Sequence, residues 1–339
     1  MSETAGESRP LHLHILRAVP MVIILGLLVW FLLPRLDTIE NSIKTLRTLR
    51  PWAIAFALAM EALSYTAMGA LLQSVVCLTR HDRIALRRSI AIEIGAGAVS
   101  IVAAGVLGFG AAIYKWTRND GVSQETSMLA SWLPSMFDTV TLAVFALAGA
   151  VELLLFHRLS RPTMIALTIV ISVLAIAIAA IILLLAKSDW LLAIAHRSTR
   201  LLMRIHLLKD DTLLIEAAER AANTWHHMRR GGWIRPMSCS LLVLTFDLLC
   251  LRYAFLAAGF SPHISMLLAG YGVPILLGRA SFLPGGIAII EVAMAALFGG
   301  LGVPASIAVV AVLTYRLISF WLPALVGIPI AITLQSRRT

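Results

Sequence analysis

The stretch FLPGGIAIIE, residues Phe282 to Glu291, combines a Pro-Gly-Gly break and an ionisable glutamate in a strongly apolar region of the chain. Proline removes a backbone hydrogen-bond donor, and glycine adopts backbone angles that other residues resist. In a soluble protein such a break would be an ordinary turn. Whether that interpretation holds depends on the composition of the surrounding chain.

The composition is that of a membrane protein. The 339 residues are 59% hydrophobic and only 14% charged, with a mean hydropathy of +0.89, whereas soluble domains carry about 25% charged residues. Apolar runs of about 20 residues are long enough to cross the hydrocarbon core of a bilayer. The clearest runs are Ile15–Leu33, Pro51–Leu72, Thr163–Ala186 and Met237–Ala258. The sequence therefore predicts an all-α, polytopic integral membrane bundle.

Charge and motifs exclude several functional classes. The net charge of +10 comes from basic residues in the connections between apolar runs, as in cytoplasmic loops next to anionic lipid. The sequence has no basic arm with interleaved aromatic residues, so it gives no indication of nucleic-acid binding. The three cysteines form no CxxC pair, and the Walker, dinucleotide, HExxH and GxSxG motifs are absent. We therefore predict no enzymatic activity, no cofactor and no bound metal.

The distribution of basic residues predicts the orientation of the chain. Arg80–Arg88, Lys187–Arg235 and the tail 335–339 are basic connections expected in the cytoplasm, whereas Gly259–His263 is neutral and expected outside. The N-terminal tail 1–14 is placed in the cytoplasm, so both termini lie there. Five tryptophans lie near predicted span ends, as interface anchors do: Trp30, Trp52, Trp116, Trp190 and Trp233.

This orientation requires two hairpins that enter the membrane and return on the same side. Ile90–Ile113 must return before the polar loop Lys115–Glu125, or the basic segment Lys187–Arg235 would fall outside. Ile264–Phe282 and Ile287–Leu301 form the second hairpin around the Pro-Gly-Gly break. Non-helical backbone at membrane depth is tolerated only where protein or a wet cavity covers it. We therefore predict two re-entrant hairpins.

The two hairpins lie in halves of the chain that resemble each other. We predict one transmembrane domain at residues 15–334, with half-repeats at 51–156 and 236–334. Between the halves, residues 187–235 are predicted to be a cytoplasmic amphipathic segment that packs on protein or on lipid. Each half reads G-x-G, then a break, then G-V-S or G-V-P before a long span; the first break is placed at Gly105–Gly110. Coincidence is the alternative, because glycine is common in membrane helices. A real repeat with this topology is inverted, as in many transporters.

Ionisable residues at membrane depth are the candidates for function. Five acids and three bases are predicted there: Glu61, Glu93, Asp138, Asp247, Glu291, Arg252, Arg279 and Arg316. Each costs several kcal/mol at the bilayer centre unless it is paired or hydrated. One-to-one pairing leaves two carboxylates without an arginine, and those should bind protons or lie in a water-filled cavity. The alternative is a set of internal salt bridges that only fasten helices.

The Pro-Gly-Gly break predicts an anion site. A helix restarting at Ile287 would present free N–H groups to the protein interior. Arg279 precedes the break and Arg316 lies on the next span, so the two guanidinium groups suit a phosphate head group. Glu291 would balance the arginines, contact a cationic head group or carry a proton. A tight turn with a structural Glu–Arg pair is the alternative.

These residues also carry a family resemblance. FLPGGIAIIE followed by GLGVPASIAVVAVLTYRLISFWLPALVGI resembles the signature of the lysylphosphatidylglycerol synthase transmembrane-region family, at Pro284, Gly285, Gly286, Glu291, Tyr315, Arg316, Trp321 and Pro323. The first-half stretch GFGAAIYKWTRNDGVSQETSMLASWLPSMFDTVTL is similar to the family in outline and contains Asp138. Ala288 stands where the family usually has glycine, and a usual arginine is shifted to Lys115. The resemblance covers about residues 15–334.

The resemblance implies a lipid translocase of the cell inner membrane. In the fused enzymes of the family, this region moves aminoacylated phosphatidylglycerol between leaflets, and a separate cytoplasmic catalytic domain, expected to be absent here, performs the aminoacyl transfer. The expected substrate is an anionic or zwitterionic phospholipid, an aminoacyl-lipid or a polyprenyl-type amphiphile. The expected site residues are Glu93, Asp138, Arg279, Pro284, Gly285, Gly286, Glu291, Tyr315 and Arg316.

Two other functions stay open at this point. One is a non-transporting accessory subunit that docks a lipid- or glycan-modifying enzyme through residues 187–235. The other is an intramembrane lipid transferase, for which no nucleophile–base pair is apparent in the sequence. The lipid, the direction and energy source of transport and the oligomeric state do not follow from the sequence.

Overall fold

A computed structural model describes residues 48–78, 82–102, 105–156, 232–281 and 284–336, with single positions between 161 and 176. These residues form nine α-helices: α1 Pro51–Val76, α2 Leu86–Val102, α3 Val106–Asn119, α4 Gln124–Phe156, α5 Ile234–Ala257, α6 Ile264–Ala280, α7 Ile289–Gly300, α8 Ala305–Arg316 and α9 Leu322–Ser336. The predicted span Ile15–Leu33, most of Thr163–Ala186, nearly all of 187–235 and both chain ends lie outside the described residues.

Among the described residues, four helical segments are long and apolar enough to cross a membrane: α1, α4, α5 and the continuous segment Ala305–Ser336. In the last of these, a π-helical turn at Leu317–Trp321 joins α8 to α9. Helices α6 and α7 are apolar but have only 17 and 12 residues, fewer than the roughly 20 needed to span the hydrocarbon core. The prediction of an all-α membrane bundle is confirmed.

The first hairpin, α2–α3, begins and ends at the same end of the bundle. Arg88 at the start of α2 donates from Nε and Nη2 to the carboxylate of Asp120 at 2.7 and 2.8 Å. Asp82 accepts hydrogen bonds from the backbone N–H and the hydroxyl of Ser123 at 3.1 and 2.6 Å. The segment therefore turns back to the end of the bundle where it began, as predicted. Its re-entry into a bilayer stays a prediction.

The boundaries of the first hairpin differ from those predicted. The loop predicted at Lys115–Glu125 is shorter, because α3 continues to Asn119 and α4 begins at Gln124. The predicted break at Gly105–Gly110 is confined to its first residue, since Gly108 and Gly110 lie inside α3. Glycine lowers helix stability by only about 1 kcal/mol, so packing on the neighbouring helices overrides it.

The sequence predicts Trp116 as an anchor at the membrane interface, but the structure places it in the core. Its ring is buried in a cluster with Ile92, Ala96 and Leu334. The ring lies 3.2 Å from the position that a Cβ atom at Gly95 would occupy. A tryptophan near the end of a sequence run is thus placed by helix packing and not by lipid.

The second hairpin has its tip at the Pro-Gly-Gly sequence, where residues Pro284–Gly286 form a short 3₁₀ turn. Near its open end, Met266 and Ala269 of α6 pack with Leu297 and Leu301. Helix α7 begins at Ile289 and not at Ile287 as predicted. The delay has a local cause, because Ala288 takes a left-handed conformation with φ of 70°.

Both hairpins close with the same backbone turn. Gly121 and Gly302 have φ of 85° and 91°, and the residue after each, Val122 or Val303, is buried. Each valine N–H donates to the carbonyl five residues earlier, at 3.2 and 3.1 Å, which is the long hydrogen bond of a Schellman motif. The same turn also ends α5, where Gly259 has φ of 85° and the Phe260 N–H donates to the Phe255 carbonyl at 3.0 Å, and it is common at helix ends. The shared turn therefore agrees with a repeat but does not exclude coincidence.

Corresponding helices of the two halves run in opposite directions. The N–H of Arg50, just before α1, donates to the carbonyl of Ala257 at the end of α5 at 3.1 Å. The hydroxyl of Ser64, further along α1, donates to the carbonyl of Val243, earlier in α5, at 3.1 Å. Helices α1 and α5 are therefore antiparallel, which is the relation that an inverted repeat requires.

The packing between the halves is reciprocal. Helix α4 packs on α6 so closely that a Cβ at Gly149 would lie 2.4 Å from the backbone nitrogen of Ala269. Helix α9 packs on α2 in the same way, with a Cβ at Gly327 reaching 2.5 Å from the carbonyl oxygen of Ile94. Each long helix thus covers the first hairpin helix of the other half.

Candidate functional site

Arg316, the last residue of α8, holds the tip of the second hairpin. Its Nε donates to Oε1 of Glu291 at 2.6 Å, and its Nη2 donates to the carbonyl oxygen of Gly285 at 3.1 Å. Its guanidinium carbon lies 4.4 Å from the centre of the Phe320 ring. With 8% of its side chain exposed, Arg316 joins α8, the break and the first turn of α7 in one buried unit.

The backbone of this tip requires glycine. Gly285 and Gly286 both have φ of 62°, in the left-handed region that costs other residues about 1–2 kcal/mol. A Cβ at Gly285 would lie 2.4 Å from the Phe320 ring, and one at Gly286 would lie 2.9 Å from the Cα of Gly278. The sequence Gly-Gly therefore permits both the turn and its close contact with neighbouring elements.

Arg279, near the end of α6, makes the second ion pair. Its Nη2 donates to Oδ2 of Asp138, and its Nη1 donates to the hydroxyl of Thr139 at 2.8 Å. The other carboxylate oxygen of Asp138 is buried and accepts no hydrogen bond from the described part of the chain. The Arg279 side chain is 34% exposed, so it is more accessible than Arg316.

Asp247 of α5 lies at the centre of a third polar group. Its Oδ2 accepts hydrogen bonds from the hydroxyls of Tyr271 at 2.7 Å and Tyr315 at 3.1 Å. Glu61 of α1 lies beside Asp247 and Cys250 and is only 6% exposed. Two carboxyl groups from the antiparallel helices α1 and α5 therefore meet in the core.

Electrostatic contacts connect the three groups into one network. Tyr65 of α1 donates to the carbonyl of Ser319 at 3.3 Å and faces Glu61, Asp247, Glu93 and Arg316. Glu93 of α2 is buried and faces Asp138. Every described helix except α3 and α9 contributes a side chain to this network.

The balance of charges differs from the predicted one. Among the described ion pairs, only Arg279 and Arg316 bind deep carboxylates, and Arg252 pairs with none of them. Three carboxyl groups, Glu61, Glu93 and Asp247, therefore have no arginine partner within the described residues, where the sequence predicted two. The network carries more acidic than basic groups.

The predicted site residues are distributed over this network. Gly285, Gly286, Glu291 and Arg316 meet at the break next to Pro284, while Asp138, Arg279 and Glu93 are neighbours on α4, α6 and α2. Tyr315 contacts Asp247 and not the break. The two arginines do not share one anion site in this structure, because each has its own carboxylate.

Several residues of the network are not among the predicted site residues: Glu61, Tyr65, Thr139, Asp247 and Tyr271. Glu61 and Asp247 were recognised as deep acids only, and Tyr271 was not considered, although its hydroxyl binds Asp247. A usable signal was present for Tyr271: it is a polar aromatic residue between Gly270 and Gly272 in an otherwise apolar helix. Buried tyrosine hydroxyls usually have a hydrogen-bond partner.

Comparisons with known proteins agree with the fold. The lysylphosphatidylglycerol synthase TM region, a protein family, matches residues 18–327. The chain is similar to UPF0104 membrane proteins of Pyrococcus horikoshii, 36% identical over 91 residues that cover 27% of each chain, and of Methanothermobacter thermautotrophicus, 30% identical over 147 residues that cover 39% of this chain and 43% of that protein.

A third relative is a UPF0104 membrane protein of Methanocaldococcus jannaschii, 26% identical over 121 residues, or 35% of this chain and 36% of that protein. The matched parts span about a quarter to two fifths of the length of these curated relatives. The family match, by contrast, covers most of the chain, including the Pro-Gly-Gly break and Arg316. This multi-pass membrane protein therefore belongs to the lysylphosphatidylglycerol synthase TM region family.

Proposed function

We propose that the protein moves an amphiphilic lipid between the two leaflets of the cell inner membrane without changing it chemically, with both termini in the cytoplasm. The observation that carries this proposal is the single buried network that joins five carboxyl groups and two arginines from both halves. Charges at hydrocarbon depth are costly and mark the paths of polar substrates. Paired broken helices that meet between inverted halves are typical of transporters.

The hairpins supply a reason for placing the polar path at this position. Helices α6 and α7 are too short to span a bilayer, so their tip at Gly285 is expected at membrane depth. The same tip contacts α2 of the other hairpin. A head group that follows the network would therefore pass between the two hairpins, while its hydrocarbon chains stay in the lipid.

Arg279 is the residue best suited to contact the head group. A guanidinium group binds phosphate strongly because it donates several hydrogen bonds in a fixed geometry. Arg279 is the more exposed of the two deep arginines. Arg316, which is bound to Glu291 and Gly285, holds the hairpin tip in position. Among the candidate lipids, the phospholipids carry the phosphate group that Arg279 would bind.

A leaflet assay in reconstituted vesicles tests the proposal. Vesicles with the purified full chain and a fluorescent phosphatidylglycerol should equilibrate the probe between leaflets faster than protein-free vesicles. Replacing Arg279 by glutamine should lower this rate at least about tenfold, since a hydrogen bond to a charged group contributes about 1.5–3 kcal/mol. The matched control is Arg252→Gln, on a spanning helix but outside the network, which should leave the rate unchanged.

Two results would contradict this function. The transport role would be contradicted if the rate of lipid equilibration were the same with and without the protein. This comparison covers phosphatidylglycerol, a zwitterionic phospholipid, an aminoacyl-lipid and a polyprenyl phosphate. A stable partner enzyme that co-purifies with the inactive chain would instead favour the accessory-subunit alternative.

A further inference from the structure

Glu61 and Asp247 form a pair of carboxyl groups that, within the described residues, has no ion-paired base. The groups that face the pair there are Tyr65 and Cys250 on their own helices, Tyr271 on α6, Tyr315 on α8 and, further away, Asp138 on α4 and Arg279 on α6. Arg279 is the only base among them, and its guanidinium group is bound to Asp138. Two ionised carboxylates side by side in an apolar core repel each other strongly.

The hydrogen-bond pattern of the pair indicates that the two carboxyl groups hold one proton between them. Oδ2 of Asp247 accepts two tyrosine hydroxyls. Oδ1 of Asp247 and Oε2 of Glu61 are buried, and no described group donates to either. A buried acceptor without a donor is costly. A single proton on Glu61 relieves both problems, because it removes one charge and supplies a donor to Asp247.

Of the two carboxyl groups, Glu61 is the better place for the proton. Asp247 is the better place for the negative charge, because two hydroxyl donors already stabilise it. A metal ion is a poorer fit than a proton, since no group of three or more metal-ligating side chains with suitable geometry occurs in the described part of the chain. We propose that Glu61 and Asp247 form a proton-binding site that takes up and releases one proton in each cycle of lipid movement; the coupling rests on the proposed function.

The position of the donors links this site to the hairpin. Helices α1 and α5 are joined along their length by the Arg50–Ala257 and Ser64–Val243 hydrogen bonds, so the two carboxyl groups stay together. The donor Tyr271 lies on α6 about two turns before Arg279, and Tyr315 directly precedes Arg316 on α8.

Movement of the second hairpin therefore changes the affinity of the site for protons. A displacement of α6 that moves Arg279 also moves the Tyr271 hydroxyl away from Asp247. The Asp247 anion then loses a donor and competes with Glu61 for the proton, so the pair binds its proton more tightly to the extent that Asp247 shares it. Proton occupancy and hairpin position thus depend on each other.

Infrared spectroscopy of the reconstituted protein tests the proton site without any transport measurement. The wild-type chain at neutral pH should show the carbonyl band of a protonated carboxyl group, and Glu61→Gln should remove the intensity of one such group. Glu152→Gln, a change of the same kind elsewhere on spanning helix α4, should leave the band intact. An unchanged band in Glu61→Gln overturns the proposal.

A second variant keeps the proposal testable if Glu61→Gln does not fold. Tyr271→Phe removes one donor from Asp247 and nothing else, so Asp247 should accept more strongly from the Glu61 proton or share it, and the carboxyl band should change in frequency. A band of unchanged frequency contradicts the assignment of Asp247 as the charged member.

A pH gradient across the vesicle membrane tests the coupling. With the membrane potential clamped, a gradient of one pH unit should shift the leaflet ratio of the lipid probe about tenfold if one proton moves with each lipid. In Glu61→Gln the leaflet ratio should not respond to the gradient. If the wild-type protein moves lipid but the leaflet ratio does not respond to the gradient, this inference is overturned and the proposed function stands. If no lipid moves in any vesicle, the proposed function is overturned, and the infrared result alone decides the proton site.

Discussion

The hairpins α2–α3 and α6–α7 end in the same backbone turn, but their ion pairs lie at opposite ends. In the first hairpin the pair Arg88–Asp120 joins the two open ends near the polar connections. In the second the pair Arg316–Glu291 lies at the tip, next to the break. The two hairpins thus have similar frames. The first turns at Gly105, whose φ is 58°, and among the described residues the tip of the second carries the ion pair.

The largest expected effect concerns the side of the membrane from which each hairpin is accessible. The two hairpins should be accessible from opposite sides. After replacement of the three native cysteines by serine, Arg83→Cys and Gln124→Cys flank the first hairpin, while Ser261→Cys and Gly299→Cys flank the second. A membrane-impermeant thiol reagent should label the first two from the cytoplasmic side only and the last two from the other side only. Labelling of Arg83→Cys and Gln124→Cys from opposite sides would contradict re-entry.

Arg316→Ala should destabilise the protein much more than Arg88→Ala. It leaves Glu291 and the Gly285 carbonyl without their buried partner, and loss of one member of a buried pair costs about 4 kcal/mol. The pair formed by Arg88 and Asp120 is partly exposed, so its loss should cost about 0.5 kcal/mol. Thermal unfolding of the detergent-solubilised protein measures both.

The double variant Arg316→Ala/Glu291→Gln separates charge from packing. Removing the unpaired carboxylate should recover part of the stability lost in Arg316→Ala. A double variant that is no more stable than Arg316→Ala would show that the contact with Phe320 and the carbonyl bond to Gly285 dominate.

Gly285→Ala and Gly97→Ala compare the two hairpins through the same substitution. At Gly285 the new methyl group meets the Phe320 ring at 2.4 Å, and the backbone is left-handed, so the cost should be about 3 kcal/mol. At Gly97, inside α2, nothing lies within 4 Å of the new Cβ, so alanine should be neutral or stabilise the helix by up to about 1 kcal/mol. Equal effects in thermal unfolding would mean that the tip tolerates a side chain.

The sequence predicts the frame well because hydrophobic length and backbone chemistry are local properties. The apolar runs Pro51–Leu72 and Met237–Ala258 agree with α1 and α5 within a few residues. The Pro-Gly-Gly tip was also placed correctly. The tip of the first hairpin was less well defined, because Gly108 and Gly110 provide the same local signal but are held in α3 by packing.

The contacts of the site are less predictable because they depend on helix rotation and depth. A sequence pattern indicates that Glu61, Asp138 and Asp247 lie at membrane depth, but it does not specify which of them meets an arginine. Asp138 receives Arg279 from a position 141 residues away. Asp247 instead receives two tyrosines, from α6 and α8. Such pairs follow from the antiparallel packing of the two halves.

The smallest expected effect is at Ala288, where the family pattern has glycine. Its φ of 70° and ψ of −40° place it in a region that costs an alanine about 1–2 kcal/mol. Ala288→Gly removes this strain but increases the conformational freedom of the unfolded chain, which costs about 0.4–1 kcal/mol. The net result should be a stabilisation of about 0.5–1 kcal/mol, measured by thermal unfolding.

Ala293→Gly is the matched control, since it makes the same chemical change inside α7. There alanine has its preferred helical conformation, so glycine should destabilise the protein by about 1 kcal/mol. The two variants should therefore shift the unfolding midpoint in opposite directions. A fall in the midpoint for both would mean that the turn before α7 stores no strain, and the late start of α7 at Ile289 would then need a cause other than the conformation of Ala288.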